Sequence, residues 1–268
     1  MNRALFRTMI KQNGKKIAKF STGIILYELL LTGVYPAISK NTAITEIADS
    51  IPSAVKSVFG VSEDARTDTF EAFISAQFFA RIYAMLMILY NVNTANELLA
   101  KMADDGSLAF ILATPVPRDE ILTTQALVLL FGNALMTQAT LLGLLHGSRR
   151  FEIPIDESKY LSFGFLSFTF FSFIGLYSLF LSALFAKSEI SFSIAAGLTL
   201  AFYALDVAGG LSDNFSWVRK FSLFQCYRPQ EALEGTEKSF WKITGLTIGS
   251  YILLKLGIRA FNEKDLPL

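Results

Sequence analysis

The sequence has little of the chemistry on which most soluble enzymes depend. It contains one cysteine, Cys226, which excludes an intrachain disulfide, and one histidine, His146, which excludes a histidine cluster for a metal ion. Charged residues make up only 18% of the chain. The net charge of +1 argues against a nucleic-acid partner. These shortages argue against a disulfide-stabilised protein, a histidine metal site and a nucleic-acid-binding protein.

Known catalytic and phosphate-binding motifs are missing as well. The nearest approach to a Gly-x-x-x-x-Gly-Lys-Ser/Thr phosphate loop is Asn-Gly-Lys-Lys at 13–16, which lacks the first glycine and the hydroxyl. Neither Gly-x-Ser-x-Gly, His-Glu-x-x-His nor Cys-x-x-Cys occurs. The adjacent carboxylates at 104–105 and 119–120 point about 100° apart on a helix, which suits capping better than acid–base catalysis. We expect a chain that is not an enzyme, so any ATP that drives it is bound by another chain.

The sequence is instead rich in apolar residues. Hydrophobic residues make up 52% of the chain, 25 of its residues are Phe, and the mean hydropathy is +0.44. A membrane span needs about 20 mostly apolar residues, and it must be helical because lipid offers its backbone no hydrogen-bond partners. The pattern predicts an all-α membrane protein with a single transmembrane domain over 1–268. About six spans are expected, near 21–39, 72–90, 122–146, 161–186, 191–210 and 240–258.

The first twenty residues carry a cationic stripe. Basic residues recur at every fourth position, and on a helix they form one slowly rotating face: Arg3, Arg7, Lys11, Lys15 and Lys19. A secretory signal peptide is disfavoured because Glu28 lies inside the apolar run that follows. We expect 1–20 to form a helix in the membrane interface, with its basic face toward anionic lipid headgroups. An unstructured basic tail is the alternative.

A polar segment from Glu97 to Gln125 separates the second and third apolar stretches. It begins as an amphipathic helix, breaks at Gly106, and then forms an elbow of Pro115, Val116, Pro117 and Arg118. The residues after the elbow are well suited to starting a short helix. A simple turn is enough to connect two spans. The longer, structured segment therefore predicts a rigid surface that binds a soluble partner.

Four parts of the chain resemble one known family. They are the basic N-terminus, the stretch Ile-Pro-Ser-Ala-Val-Lys-Ser-Val-Phe-Gly at 51–60, the segment from Asp104 to Arg118, and the C-terminal stretch 259–266. Together they resemble the membrane permease of an ATP-binding-cassette (ABC) transporter, of the type-two permease family. The specific part is Gly106 to Arg118. In the family an acidic residue, usually Glu, precedes the glycine, and here Asp104 or Asp105 stands there.

The resemblance implies partners and site residues. It implies a six-span subunit that pairs with a second permease copy or paralogue and with nucleotide-binding ATPase subunits. ATP and Mg²⁺ are then held by those subunits, and this chain has no cofactor of its own. The N-terminal helix and the loop after the second span are expected to contact the ATPase. The residues expected to couple to it are Asp104, Asp105, Gly106, Pro115, Val116, Pro117, Arg118, Asp119 and Glu120.

Two charges fall inside predicted spans, where they are energetically expensive. Glu28 lies about eight residues into the first span, which is roughly 12 Å deep at 1.5 Å per residue. Arg81 reaches a similar depth from the other side in the second span. We expect the two to form an intramembrane charge pair that holds the helices together, with a cargo or gating role as the alternative. If they are not partners, Arg81 is expected to face the cavity at the permease dimer interface and to meet an anionic cargo group.

Two connections on the predicted outer side are longer than simple turns. Apolar residues from Ile44 to Phe59 recur at helical spacing, which predicts a short helix on the outer membrane surface. The segment 211–239 is rich in aromatic residues, which predicts an interfacial or re-entrant segment.

The placement of basic residues gives the expected orientation. The N-terminal cluster and the even number of spans predict cytoplasmic N- and C-termini in a multi-pass cell-membrane protein of bacterial origin.

No large outer domain is present, and the spans are rich in Phe and Leu, so we expect export of an amphipathic cargo such as an antimicrobial peptide, a hydrophobic drug or a lipid. A secondary carrier remains an alternative, although its inverted repeats are not found. A non-transporting membrane anchor or immunity protein is another, although it has no need of the segment Gly106 to Arg118.

Overall fold

Six long apolar helices cross the molecule, as the hydropathy of the sequence predicts. The structure, a computed structural model, describes residues 2–39, 69–210, 216–235 and 239–264. The long helices are each long and apolar enough to span a membrane. They are α1 (Arg3–Ser39), α2 (Phe70–Asp104), α4 (Arg118–Arg150), α5 (Glu157–Phe185), α6 (Ser188–Gly210) and α9 (Ser239–Glu263).

Short helices occupy two of the connections. α3 (Leu108–Leu112) lies between α2 and α4. α7 (Ser216–Arg219), a 3₁₀ turn (Leu223–Cys226) and α8 (Pro229–Glu234) lie between α6 and α9. The predicted outer-surface helix at 44–59 lies outside the described residues.

Helix α1 packs parallel to α4 along its whole length. The backbone N–H of Asn2 donates to Oγ1 of Thr124 at 3.1 Å, near the start of both helices. Further along, Glu28 packs against Gly143, where an added Cβ atom would come within 2.6 Å of Oε2. Small residues allow such close approach between membrane helices. The end of the bundle at which α1 and α4 begin is called here the N-terminal end, and the other is called the opposite end.

The predicted boundary between an interfacial helix at 1–20 and a first span is not observed. The helix continues without a break from Arg3 to Ser39, and its buried stripe runs through the boundary, with Met9, Asn13 and Ile17 before it and Ile24 after it. That buried face packs on α4, so the first turns are held against the bundle. The five basic residues of the predicted stripe are all exposed on the other face, as expected.

The interior contains polar as well as apolar contacts. Asn91 of α2 and Asn133 of α4 exchange two side-chain hydrogen bonds, at 3.0 and 2.8 Å. One layer away, the hydroxyl of Ser167 on α5 donates to the Tyr83 hydroxyl at 3.1 Å. Such bonds hold membrane helices together because lipid offers polar groups no alternative partner. They join α2, α4 and α5 at the centre of the bundle.

The residues 216–235, called here the cap segment, fold back over the opposite end of the bundle. Tyr227 is buried, its hydroxyl donates to the backbone carbonyl of Phe79 at 3.1 Å, and its ring stacks on Phe170 at 4.9 Å. Phe224 packs edge-on against the same Phe170 ring at 5.2 Å. The aromatic residues predicted an interfacial or re-entrant segment, and the described part of it fills the aromatic core between α2 and α5.

Both described chain ends lie at the N-terminal end of the bundle. The last turn of α9 contacts the start of α4, because Arg118 donates to the carbonyl of Lys264 at 2.8 Å. Asn2 contacts Thr124, one and a half turns further along α4. An even number of crossings places the two termini on one side, so the six-span prediction and the positions of the termini agree.

Candidate docking surface at the N-terminal end

A glycine turn releases the chain from α2. Gly106 has a φ of +78°, a left-handed conformation that glycine adopts without steric cost. The backbone N–H of Ser107 donates to Oδ1 of Asp105 at 2.9 Å and closes the turn. The hydrogen bonds from the Ser107 hydroxyl and backbone N–H hold the pKa of the Asp105 carboxyl below its ordinary value. The sequence-predicted break at Gly106 is therefore a defined turn, and it begins the docking loop, defined here as residues 105–117.

The docking loop presents one large apolar side chain outward. α3 has five residues, of which Leu108 is buried against the bundle and Phe110 is 81% exposed. Phe110 is the most exposed large hydrophobic side chain in the described part of the chain. A buried anchor at Leu108 fixes the orientation of α3, so the position of Phe110 follows from the fold. Phe is among the residue types enriched at the cores of protein interfaces.

The prolines end the docking loop and start α4. Pro117 stands at the N-cap with φ −64° and ψ 148°, and its fixed φ limits the freedom of the elbow. Asp119 and Glu120 fall in the first turn of α4, where negative charge is favoured by the helix dipole. The short helix thus precedes the elbow, whereas the sequence predicted one after it. The residues after Pro117 continue into the third span because their apolar face packs against α1 for the full length of α4.

Arg118 ties the elbow to the end of α9. Its Nη1 donates to the carbonyl oxygens of Phe261 and Asn262, both at 3.3 Å, and of Lys264 at 2.8 Å. Its guanidinium also lies 6.0 Å from the centre of the Phe261 ring. These carbonyls are the ones that a helix C-terminus leaves without partners, so a cation stabilises them. Arg118 was predicted to contact the partner, and in this structure its charge is engaged within the chain.

The other helices are also joined at this end. Oδ2 of Asp104 accepts from the backbone N–H of Ser188 at 3.3 Å, which connects the end of α2 to the start of α6. Asn96 donates to the Ser188 hydroxyl at 2.9 Å. Lys16 of α1 forms an ion pair with Glu97 of α2. These contacts connect α2 to α6 and to α1 beside the docking loop.

The predicted charge pair between Glu28 and Arg81 is not formed. Glu28 is fully buried, and neither of its carboxylate oxygens has a hydrogen-bond partner. Nη2 of Arg81 is buried and also has none. The pairing was predicted from equal depth alone, but Glu28 faces Gly143 of α4. Arg81 interacts electrostatically with Tyr203 of α6 and with Tyr27 of α1 instead. The two side chains point to different neighbours.

Sequence reasoning missed the most exposed apolar group of this surface. Five of the residues predicted to couple to an ATPase are exposed at the N-terminal end, and their coupling role stays a prediction: Asp105, Gly106, Pro115, Pro117 and Asp119. Phe110 was not singled out, although a Phe in the middle of a polar connection is a usable signal. A single aromatic residue in a loop reads equally well as a buried anchor, and only the fold shows that Leu108 takes that role.

The comparison with family models agrees with this arrangement. Residues 23–266 match the model of the ABC-2 family transporter protein, a range that includes the second half of α1, the other five long helices and the docking loop. A search of curated proteins gave no match. With six membrane-length helices and a family match over nearly its whole length, the chain is a multi-pass membrane protein and belongs to the ABC-2 type transporter permease family.

Proposed function

We propose that this chain is the membrane-spanning permease subunit of an ATP-driven exporter, and that the docking loop binds a separate nucleotide-binding subunit. The observation that carries the proposal is the exposed Phe110 on α3, held between the turn at Gly106 and the elbow at Pro117. An aromatic side chain presented by a rigid backbone is a favoured anchor at protein interfaces. The chain supplies the path and the coupling, and its partner supplies ATP hydrolysis with Mg²⁺.

The contacts behind the docking loop support mechanical coupling. A nucleotide-binding subunit that closes on ATP moves whatever is seated in its cleft. Arg118 passes that movement to the end of α9, and the contact of Asp104 with Ser188 passes it to α6. Chains of packed and hydrogen-bonded groups of this kind can carry energetic coupling between distant sites. A second permease copy or paralogue completes the path.

The orientation follows from the same proposal. The docking loop faces the cytoplasm, where ATP is available, so both termini are cytoplasmic. The exposed basic residues of α1 lie at that end, and they suit a leaflet rich in anionic lipid. The expected location is a bacterial cell membrane.

The cargo is proposed to be amphipathic and to move outward. The bundle exposes apolar residues along its length, including Leu26, Leu89 and Leu200, and the cap segment is too small to receive cargo from a soluble carrier. An antimicrobial peptide, a hydrophobic drug or a lipid fits such a surface. A self-sufficient carrier and a non-transporting anchor or immunity protein are the competing functions, and neither uses an exposed, rigid Phe110.

Purification from detergent tests the proposal. The tagged chain is expected to bring down, in stoichiometric amount, a protein that contains a phosphate-binding loop and hydrolyses ATP. Phe110→Asp is expected to remove that protein, while Phe221→Asp keeps it, because Phe221 is 68% exposed in the cap segment at the opposite end of the bundle. Recovery of the chain without an ATPase, or equal recovery with both variants, contradicts the proposal.

A further inference from the structure

An apolar groove runs between α2 and α6. It holds about 540 Å³ of space between its walls, part of it open to the surroundings of the bundle. Its walls are wholly hydrophobic or aromatic, and they include Met85, Leu89 and Val92 from α2 and Phe192, Leu200 and Tyr203 from α6. Met85, Leu89 and Leu200 are about half exposed, so the groove is open along the flank of the bundle.

A cation lies at one end of this groove. Arg81 stands one turn before Met85 on α2 and interacts electrostatically with Tyr203, which lines the groove. Nη2 of Arg81 is buried and has no hydrogen-bond partner. Burying a guanidinium donor without a partner is costly, and an arginine inside a membrane span marks a functional site more often than not. The groove therefore has a charged head and an apolar body.

The acidic side chain of Asp206 does not neutralise Arg81. Asp206 on α6 lies close enough to Tyr203 to affect it, but its Oδ1 accepts from Nε of Arg219 at 3.0 Å. Glu28 faces α4 instead. Among the residues that the structure describes, no carboxylate forms an ion pair with Arg81. Its charge is available to a ligand.

The backbone at this position is unusual. Residues Ser75–Tyr83 form a π-helix of nine residues, and the groove begins immediately after it. π-helical segments are rare and are frequently found at functional sites. Here the segment sets the direction of Arg81 relative to the regular turns that carry Met85 and Leu89.

We propose that the groove binds an amphiphile with one hydrocarbon chain and an anionic head group, its chain lying along α2 and α6 and its head group on the guanidinium of Arg81. The inference rests on the proposed transport function and names its cargo class: the amphipathic molecule carries a carboxylate, sulfate or phosphate. A guanidinium binds such groups through paired N–H donors. A cationic amphiphile is repelled at the same position, and a neutral one offers no negative charge to pair with the guanidinium.

Binding to the full-length chain in nanodiscs of zwitterionic lipid tests this inference. The probe is a fluorescent fatty acid, displaced in turn by dodecyl phosphate, a dodecyl glycoside and dodecyltrimethylammonium. For Arg81→Gln, we expect the affinity for the fatty acid and for dodecyl phosphate to fall about tenfold or more, with little change for the glycoside. Arg81→Lys is expected to recover part of the loss as a point charge. Arg150→Gln is the control. Arg150 is exposed at the end of α4, toward the same end of the bundle as Arg81, and it does not line the groove.

Filling the groove gives an independent test of the apolar part. Leu200→Trp places bulk in the groove and is expected to weaken all ligands, whereas Leu198→Trp, on a part of α6 outside the groove lining, is expected to leave binding unchanged. Equal affinity of wild type and Arg81→Gln for the anionic probes overturns the inference, as does unchanged binding in Leu200→Trp. These measurements need neither nucleotide nor ATPase, so their failure leaves the docking proposal standing and is distinguishable from its failure.

Discussion

The docking loop and the cap segment are both connections between long helices that contain aromatic residues, but the exposure of those aromatic side chains differs. Phe110 in the docking loop is 81% exposed, whereas Phe224 and Tyr227 in the cap segment are 3% and 5% exposed. The cap segment completes the aromatic core of its own bundle. The docking loop leaves its aromatic residue outside and uses Leu108 to hold α3 in place. Under the proposed function, the difference separates a connection that serves folding from one that serves a partner.

The largest effect expected from this contrast is on stability in the cap segment. Tyr227→Ala removes a ring packed against Phe163, Phe170 and Phe171, and the lost packing is expected to cost about 3–5 kcal/mol. Thermal unfolding in detergent measures it. Phe221→Ala is the matched control within the same segment, and since Phe221 is 68% exposed, its effect is expected to stay within about 0.5 kcal/mol. Equal losses in the two variants mean that the cap segment is not part of the core.

The docking loop is expected to show the reverse pattern. Phe110→Ala leaves the bundle intact, so the unfolding free energy is expected to change by less than about 0.5 kcal/mol. Affinity for the ATPase subunit is expected to fall about thirtyfold, the size of an interface hot spot. Binding of purified ATPase to the immobilised chain measures it. A large loss of stability without loss of binding assigns Phe110 to folding and removes the contrast.

An intermediate effect is expected where the docking loop meets the bundle. Arg118→Gln removes charge-assisted bonds to the carbonyls at the end of α9, for an expected cost of about 1–2 kcal/mol at this partly exposed site. Hydrogen exchange in 259–264 is expected to accelerate. Arg259→Gln is the control, since its ion pair with Glu263 is exposed and contributes little. Unchanged exchange in Arg118→Gln means that the elbow and α9 move independently.

The smallest effect concerns the turn that opens the docking loop. The Ser107 hydrogen bonds lower the pKa of the Asp105 carboxyl. Their contribution to the stability of the fold is therefore fully present above the ordinary carboxyl pKa of about 3.9, and it is lost as the pH falls through the lowered value. Ser107→Ala is expected to raise the Asp105 pKa toward the ordinary value, measured by NMR on labelled aspartate. Ser158→Ala is the control, because Ser158 is exposed at the start of α5, away from this turn, and the variant is expected to leave the Asp105 pKa unchanged. No change in the Asp105 pKa means that the turn does not persist in solution.

Much of the fold was predictable from local sequence. Span number follows from the length and hydropathy of apolar runs, and the bounds of the docking loop follow from Gly106 and Pro117, whose backbone preferences are local properties. The continuity of α1 across residue 20 was harder to predict from the sequence. The basic stripe indicates a surface, but only the packing of Met9, Asn13 and Ile17 on α4 shows that the helix remains attached to the bundle.

The direction of side chains was the part that sequence could not supply. The Glu28–Arg81 pairing was inferred from depth, which is one coordinate, while pairing also requires the rotation of each helix about its axis. The π-helix at Ser75–Tyr83 shifts that rotation for Arg81, and its sequence carries no recognised signal for it. The partner of Arg118 lies more than 140 residues away in the chain, beyond any local pattern.

Site-specific crosslinking at position 110 tests the central claim most directly. Phe110→Cys, in a Cys226→Ser background, is labelled with a photoreactive benzophenone maleimide in native membranes and illuminated, with Phe221→Cys as the matched control at the opposite end. The account predicts that position 110 crosslinks to a subunit that contains a phosphate-binding loop, that ATP changes the yield, and that position 221 gives no such product. An adduct only to lipid at position 110, or the same ATPase adduct from both positions, contradicts it.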